Sequence, residues 1–202
     1  VVKIITKVTV KVTVKVTVKV IATMTETKLA PPISTLVDFV KPQISDLADL
    51  IELQAEDDTM RYYGGTQQQK SVEHRLELAL KHEARFGYGL WHLYAKNTNT
   101  FIGIGGIIHY NFDFDATQLE AVLCLKRTAQ KEQYGHHVMA ALQLWAIKVK
   151  LTKDIVVRVE PGNSRMLALI DTHYVPNNVL TRIKTPSSDG DYVVYQMNRS
   201  IL

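Results

Sequence analysis

Two stretches between Glu120 and Tyr174 combine residue types that can do chemistry at a spacing that lets them do it. In the first, a basic loop from Arg127 to Tyr134 delivers Gly135 into the first turn of a helix bearing Val138, Leu142, Trp145 and Val149. The first N–H groups of a helix lack internal acceptors and sit at its positive dipole end, so they form an anion site, and a glycine lets a phosphate come close. Lys126, Arg127 and Lys131 add charge suited to a nucleotide-linked pyrophosphate. In the second stretch, Pro161-Gly162-Asn163-Ser164 opens a short helix that ends before Tyr174. Asn163 suits an N-cap there, and its amide could also orient a ligand.

Other chemistry-bearing residues fit structural roles. Gly103-Ile104-Gly105-Gly106 lies inside an apolar strand followed by more strand, so it lacks the strand-turn-helix setting of a dinucleotide fingerprint and reads as close packing or a bulge. The seven histidines show no zinc spacing, and adjacent His136 and His137 must face different ways on a helix. Cys124, the single cysteine, falls mid-strand as a small buried thiol. Asp113 and Asp115 sit in a loop, solvated or touching a cationic substrate, and Trp91 and Trp145 read as core.

These residues have to be positioned by a framework of alternating helices and strands. The pattern predicts strands at 36–40, 88–96, 100–110, 120–125, 155–160 and 191–197. Helices are expected from a Ser45 or Asp46 cap to about Gln54, from Gln69 to Arg85, from Gly135 to about Val149, and after Asn163. The fold class is α/β or α+β, a mixed sheet with antiparallel hairpins. Ahead of it, residues 7–20 repeat Lys-Val-Thr-Val with every valine on an even position, which puts all valines on one face of a strand. Residues 1–30 are read as an extension, closed by Pro31-Pro32, and 31–202 as the domain. The extension is either a low-complexity tail or an interaction arm, and as an oligomerisation strand it would make a homodimer.

Composition narrows the function classes. With 202 residues, 46% of them hydrophobic and 22% charged, the chain suits one folded domain with an appendage. The net charge of +4 is carried by residues 1–28, where six lysines face Glu26 alone, which leaves −1 for the remainder. The domain therefore has no general pull on nucleic acid. No stretch approaches a membrane span, the valine repeat lacks the continuous apolar run of a signal peptide, and a lone cysteine suits a reducing cytoplasm.

The order of segments resembles the GNAT superfamily of N-acetyltransferases, most closely its ribosomal-protein N-terminal acetyltransferase branch. The resemblance is carried by Met60-Arg61-Tyr62-Tyr63-Gly64-Gly65, Gly89-Leu90-Trp91, Phe101 to Gly106, Leu119 to Val122, Tyr134-Gly135, Pro161 to Ser164 and Asp191 to Tyr195, in family order over roughly 36–198. It implies a splayed, mostly antiparallel sheet flanked by helices, acetyl-CoA as cosubstrate, and a primary amine as acceptor, from a protein N-terminus or a small molecule. It implies pantetheine pairing along Val122, Leu123, Cys124 and Leu125, diphosphate on the amides of Gln133, Tyr134, Gly135, His136, His137 and Val138, and Glu120 on the proton path from the amine. As a structural residue, Glu120 would instead be solvated or salt-bridged. Against the family's phosphate-loop pattern, Glu132 stands where a cation is usual and His137 where a small residue is. A GNAT-shaped scaffold without acyl-CoA turnover is therefore the alternative.

Overall fold

The computed structural model describes residues 29–130, 133–183 and 192–198. The Lys-Val-Thr-Val repeat, Lys131, Glu132 and Asp191 lie outside the described residues. Seven strands form one sheet: β1 (Val37–Val40), β2 (Leu90–Ala95), β3 (Thr100–His109), β4 (Gln118–Leu125), β5 (Asp154–Val159), β6 (Leu180–Ile183) and β7 (Val193–Met197). Their spatial order is β1-β2-β3-β4-β5-β7-β6, and every pairing is antiparallel except β4 with β5.

Helices cover both faces because strands alternate their apolar side chains. On one face α1 (Leu47–Ala55) packs with α3 (Gln69–Phe86), next to the single turn α2 (Asp57–Met60). Leu50, Leu53, Val72 and Leu76 from these helices meet Phe101 and Cys124 of the sheet. On the other face lie α4 (Tyr134–Lys148) and α5 (Ser164–His173). There Val138, Leu142 and Trp145 of α4 bury against Trp91, Leu119 and Ala121, with the two indoles edge to face at 5.2 Å. The chain joins this core from Leu29 onward, and the Ala30 carbonyl accepts from Trp145 Nε1 at 2.6 Å.

The glycine-rich strand answers both expectations placed on it. The β2–β3 register slips between Leu93 and Tyr94, opposite Gly103 and Phe101, which leaves Ile102 as a bulge. Gly103 has φ 147°, and a Cβ there would lie 2.2 Å from the Cys124 carbonyl oxygen. A Cβ on Gly106 would lie 2.1 Å from that of Gly89.

Three local features differ from the sequence expectation. A 3-10 turn, Ile44–Asp46, precedes α1, and Asp46 reaches back to the Gln43 N–H at 2.7 Å instead of capping forward. The second strand begins at Leu90, not at residue 88, because Gly89 and Tyr88 lie over His82 of α3. Strand β6 follows turn-rich sequence with no alternation long enough to reveal it, and it exists because β7 offers it a partner.

Candidate active site

The parallel pairing of β4 with β5 is brief, running only from Gln118 opposite Asp154 to Glu120 opposite Val156. Past that point β4 continues to Leu125 while β5 pairs onward with β7, so a gap opens along the edge of β4. The Lys126 N–H donates to the Ile102 carbonyl of β3 at 2.8 Å. Strand alternation then turns the backbone groups of Leu123 and Leu125 away from β3 and into the gap. Their carbonyls take side-chain donors from outside the sheet: the Tyr63 hydroxyl at Leu123, and Gln130 Nε2 at 3.1 Å at Leu125. The N–H groups of the same two residues point the same way, as a sheet edge ready to pair with an extended ligand.

A cavity of about 820 Å³ lies on one side of this edge. Leu123 and Leu125 form its floor, and Gly135, at the start of α4, stands against both, so that a Cβ there would meet their methyls at 3.7 and 3.8 Å. Gln133 takes a left-handed conformation, and its carbonyl accepts from the His136 and His137 N–H groups at 3.0 and 3.2 Å. Among the described residues, Gln133, Tyr134 and Gly135 are thus the amides with no acceptor inside the helix, a shorter run than the Gln133–Val138 span read from sequence. His136 lines the cavity with its ring 5.0 Å from that of His173, and its carbonyl accepts from the Tyr174 hydroxyl at 2.9 Å. Burial, then the neighbouring His173 and His137, pull the His136 pKa down, so the ring is neutral at neutral pH.

A second cavity, about 480 Å³, lies across β4 on the α1/α3 face. Glu120, Val122 and Cys124 point into it, alternating with the leucines that floor the first. Glu120 is 9% exposed and sits in a two-pronged ion pair, with Arg158 Nε to Oε1 at 2.9 Å and Nη2 to Oε2 at 3.0 Å. Arg158 also donates to the Tyr110 hydroxyl at 3.1 Å and to Asn111 Oδ1 at 2.8 Å. Burial opposes the Arg158 charge, but the Glu120 carboxylate outweighs it and raises the pKa. Burial pushes the Cys124 thiol up to about 12, which rules it out as a thiolate nucleophile at neutral pH. Burial, followed by Cys124 and Glu120, also holds Tyr63 well above the usual phenol range, so it stays a donor. Tyr62 and Tyr63 line both cavities and stand where the two meet.

Of the residues singled out from sequence, Leu123, Leu125, Gln133, Gly135, His136 and Asn163 line the first cavity. Glu120, Val122 and Cys124 line the second. The Tyr134 side chain and Val138 are buried in the core. His137 turns out of the cavity, with Nδ1 3.4 Å from Thr35 Oγ1, so its bulk does not obstruct the helix start. Asn163 caps α5 by accepting from the Met166 N–H at 3.2 Å. Lys126, expected to add charge to the loop, is instead paired with Glu52 at 2.7 Å. Arg61, Arg127 and Arg165 are the arginines lining the first cavity, and Arg61 is paired with Asp58 at 2.7 Å. Asp115 faces Arg85 at 3.5 Å and accompanies neither cavity. Sequence reasoning missed Arg158, Gln54 and Arg75. For Arg158 a signal existed: a lone arginine in the apolar run Ile155-Val156-Val157-Arg158-Val159. Among the described residues, no three His, Cys, Asp or Glu side chains gather as a metal site.

A sheet that splays beside a glycine-opened helix start, with cavities on both faces of one edge, has counterparts among known proteins. Residues 37–172 match the family model for an acetyltransferase (GNAT) domain. The chain belongs to the GNAT acetyltransferase family. Among solved structures, an acetyltransferase from Agrobacterium tumefaciens superposes with a TM-score of 0.70 at 20% identity, covering 84% of this chain and 95% of the other. The Salmonella typhimurium acetyltransferase that modifies the N-terminal serine of ribosomal protein L7/L12 superposes at 0.61 with 14% identity, over 82% and 95%. A RimL L7/L12 α-N-protein acetyltransferase in complex with coenzyme A gives 0.60 at 14% identity, over 82% and 94%. A comparison with curated proteins returned no match. At these identities the structures share the GNAT fold. No helix among the described residues is long and apolar enough to cross a membrane.

Proposed function

We propose that this GNAT protein is an N-acetyltransferase that moves an acetyl group from acetyl-CoA to a primary amine, with a protein α-amine ahead of a small-molecule amine. The observation that carries the reading is the open edge of β4, where the Leu123 and Leu125 N–H groups face a gap between two cavities. The first cavity suits the cosubstrate: pantetheine lies along Val122–Leu125 as an added strand, and the diphosphate rests on the amides from Gln133 to Gly135. Arg127 and Arg165 supply cationic charge there. The second cavity receives the amine, whose proton leaves toward Glu120 through the lone pairs that Arg158 does not occupy. The amine nitrogen bonds to the thioester carbonyl carbon, the carbon–sulfur bond breaks, and the thiol is released with a proton as the amide forms. A β4 N–H supports the carbonyl oxygen as charge develops on it. A cytoplasmic setting belongs to this reading.

Titration calorimetry with acetyl-CoA, followed by thiol release with a panel of amines, tests it. Binding and amine-dependent thiol release are expected. Failure to bind acetyl-CoA at millimolar concentration would favour the scaffold alternative, for which the two-cavity edge would be vestigial.

A further inference from the structure

The cavity on the α1/α3 face holds an arrangement that the transferase reading leaves unused. Three side chains that carry formal charge at pH 7 line it: Glu120, Arg158 and Arg75. Glu120 and Arg158 neutralise each other in their two-pronged pair. Arg75, an exposed residue of α3, makes no ion pair among the described residues, so the cavity's uncompensated charge is positive. Arg75 is near enough to mid-β4 for its field to act on Cys124. A second, independent observation concerns Gln54 on α1. It is 5% exposed, lines the same cavity, and its Oε1 is buried with no hydrogen-bond partner among the described residues. Buried amide oxygens in native proteins are ordinarily hydrogen-bonded, so an unpaired one beside a cavity is a group that a ligand N–H can satisfy.

We infer that this cavity takes an amine acceptor whose side chain carries a carboxylate, with Arg75 binding that side-chain carboxylate and Gln54 Oε1 accepting an N–H of the acceptor. The inference rests on the transferase reading for the word acceptor and deepens it by naming the substrate class. The chemistry has two sources, a free acidic amino acid or a peptide beginning with an acidic residue. Polycationic amines meet a lining whose unpaired charge repels them.

The test uses matched N-acetylated ligands, so it does not depend on turnover. The full chain is titrated with N-acetylglutamate and N-acetylglutamine, and with N-acetylated peptides beginning with Glu or Gln. For at least one source, the acidic member is expected to bind about 10-fold tighter than its amide, the lower end of what a charge-assisted hydrogen bond gives. Arg75→Gln should bring that ratio to about 1 while leaving the amide's affinity unchanged, and Arg75→Lys should keep part of the preference. Gln54→Leu should weaken both members alike. The source that shows the preference identifies the acceptor. Equal affinity within both pairs, no binding by any of the four, or a ratio unchanged in Arg75→Gln would overturn the inference. The transferase reading fails separately, if no amine releases thiol from acetyl-CoA.

Discussion

The two faces of β4 carry the two halves of the proposed site by different means. On the α4/α5 face the groups proposed to hold pantetheine and diphosphate are backbone, the edge of Leu123 and Leu125 and the amides that open α4, with Arg127 and Arg165 beside them. On the α1/α3 face the polar groups are side chains brought from Gln54, Arg75, Glu120 and Arg158, four separate elements. Backbone groups are present whatever the residue, so the first face needs only the right bends. Gln54 and Arg75 of the second sit on helices, where a substitution leaves every strand as it is. This division suits a fold that keeps one cosubstrate and varies the other.

The sharpest break is at Glu120. Glu120→Ala takes the carboxylate from a partly buried Arg158 and leaves it the neutral partners Tyr110 and Asn111, and removing one partner of such a pair costs about 3 kcal/mol. Urea unfolding should show the lower midpoint, and amine acetylation should fall in the same variant. The double variant Glu120→Ala/Arg158→Met should recover most of the stability and none of the activity. Recovery of both would place the pair outside the chemistry.

A scaffold effect separates folding from either face. His82 is fully buried: Nδ1 donates to the Tyr88 carbonyl at 2.9 Å, and Nε2 accepts from the His109 N–H at 3.0 Å, with His109 Nδ1 also 2.9 Å away. Burial lowers its pKa from 6.5 to about 4. Above pH 6.5 the imidazole is neutral folded or unfolded, and its contribution is complete. Below that, the unfolded chain takes up a proton the fold refuses, so stability falls by an amount on the order of 3 kcal/mol between pH 6.5 and 4 and levels off beneath. Unfolding midpoints across that window, compared with His82→Gln, should show the wild type losing more. Parallel profiles would mean His82 takes a proton in the fold.

Tyr63 joins the faces, and its removal tests whether they are coupled. Tyr63→Phe strips the donor from the Leu123 carbonyl, at about 1 to 2 kcal/mol. Acetyl-CoA affinity should drop by about 10-fold alongside that loss of stability, because the β4 edge loses the group that fixes it. A loss confined to stability would make the tyrosine structural.

The same division explains what could be read from the sequence. The sheet, the glycine-opened α4 and the Asn163 cap follow from period, caps and breakers, all of them local. The bulge at Gly103 was visible as glycines in a strand that needs none. Gln54 and Arg75 were silent, because an ordinary surface pattern on a helix does not say which polar residue will face a cavity formed with a strand far along the chain. Strand β6 and the outward turn of His137 were likewise settled by partners distant in the chain.

Asn163 offers the finest distinction, since one side chain could serve the fold, the cosubstrate, or both. Its Oδ1 accepts the Met166 N–H at the start of α5 and the residue also lines the α4/α5 cavity. Asn163→Ala should lower stability by about 1 kcal/mol, the usual cost of a lost cap. Asn163→Ser keeps a capping oxygen but has no amide, and it should restore the unfolding midpoint. If acetyl-CoA affinity in Asn163→Ser also equals wild type, the residue is a cap and its amide takes no part in holding the cosubstrate. A several-fold weaker affinity in that otherwise stable variant would add the Asn163 amide to the main-chain groups proposed to hold the cosubstrate.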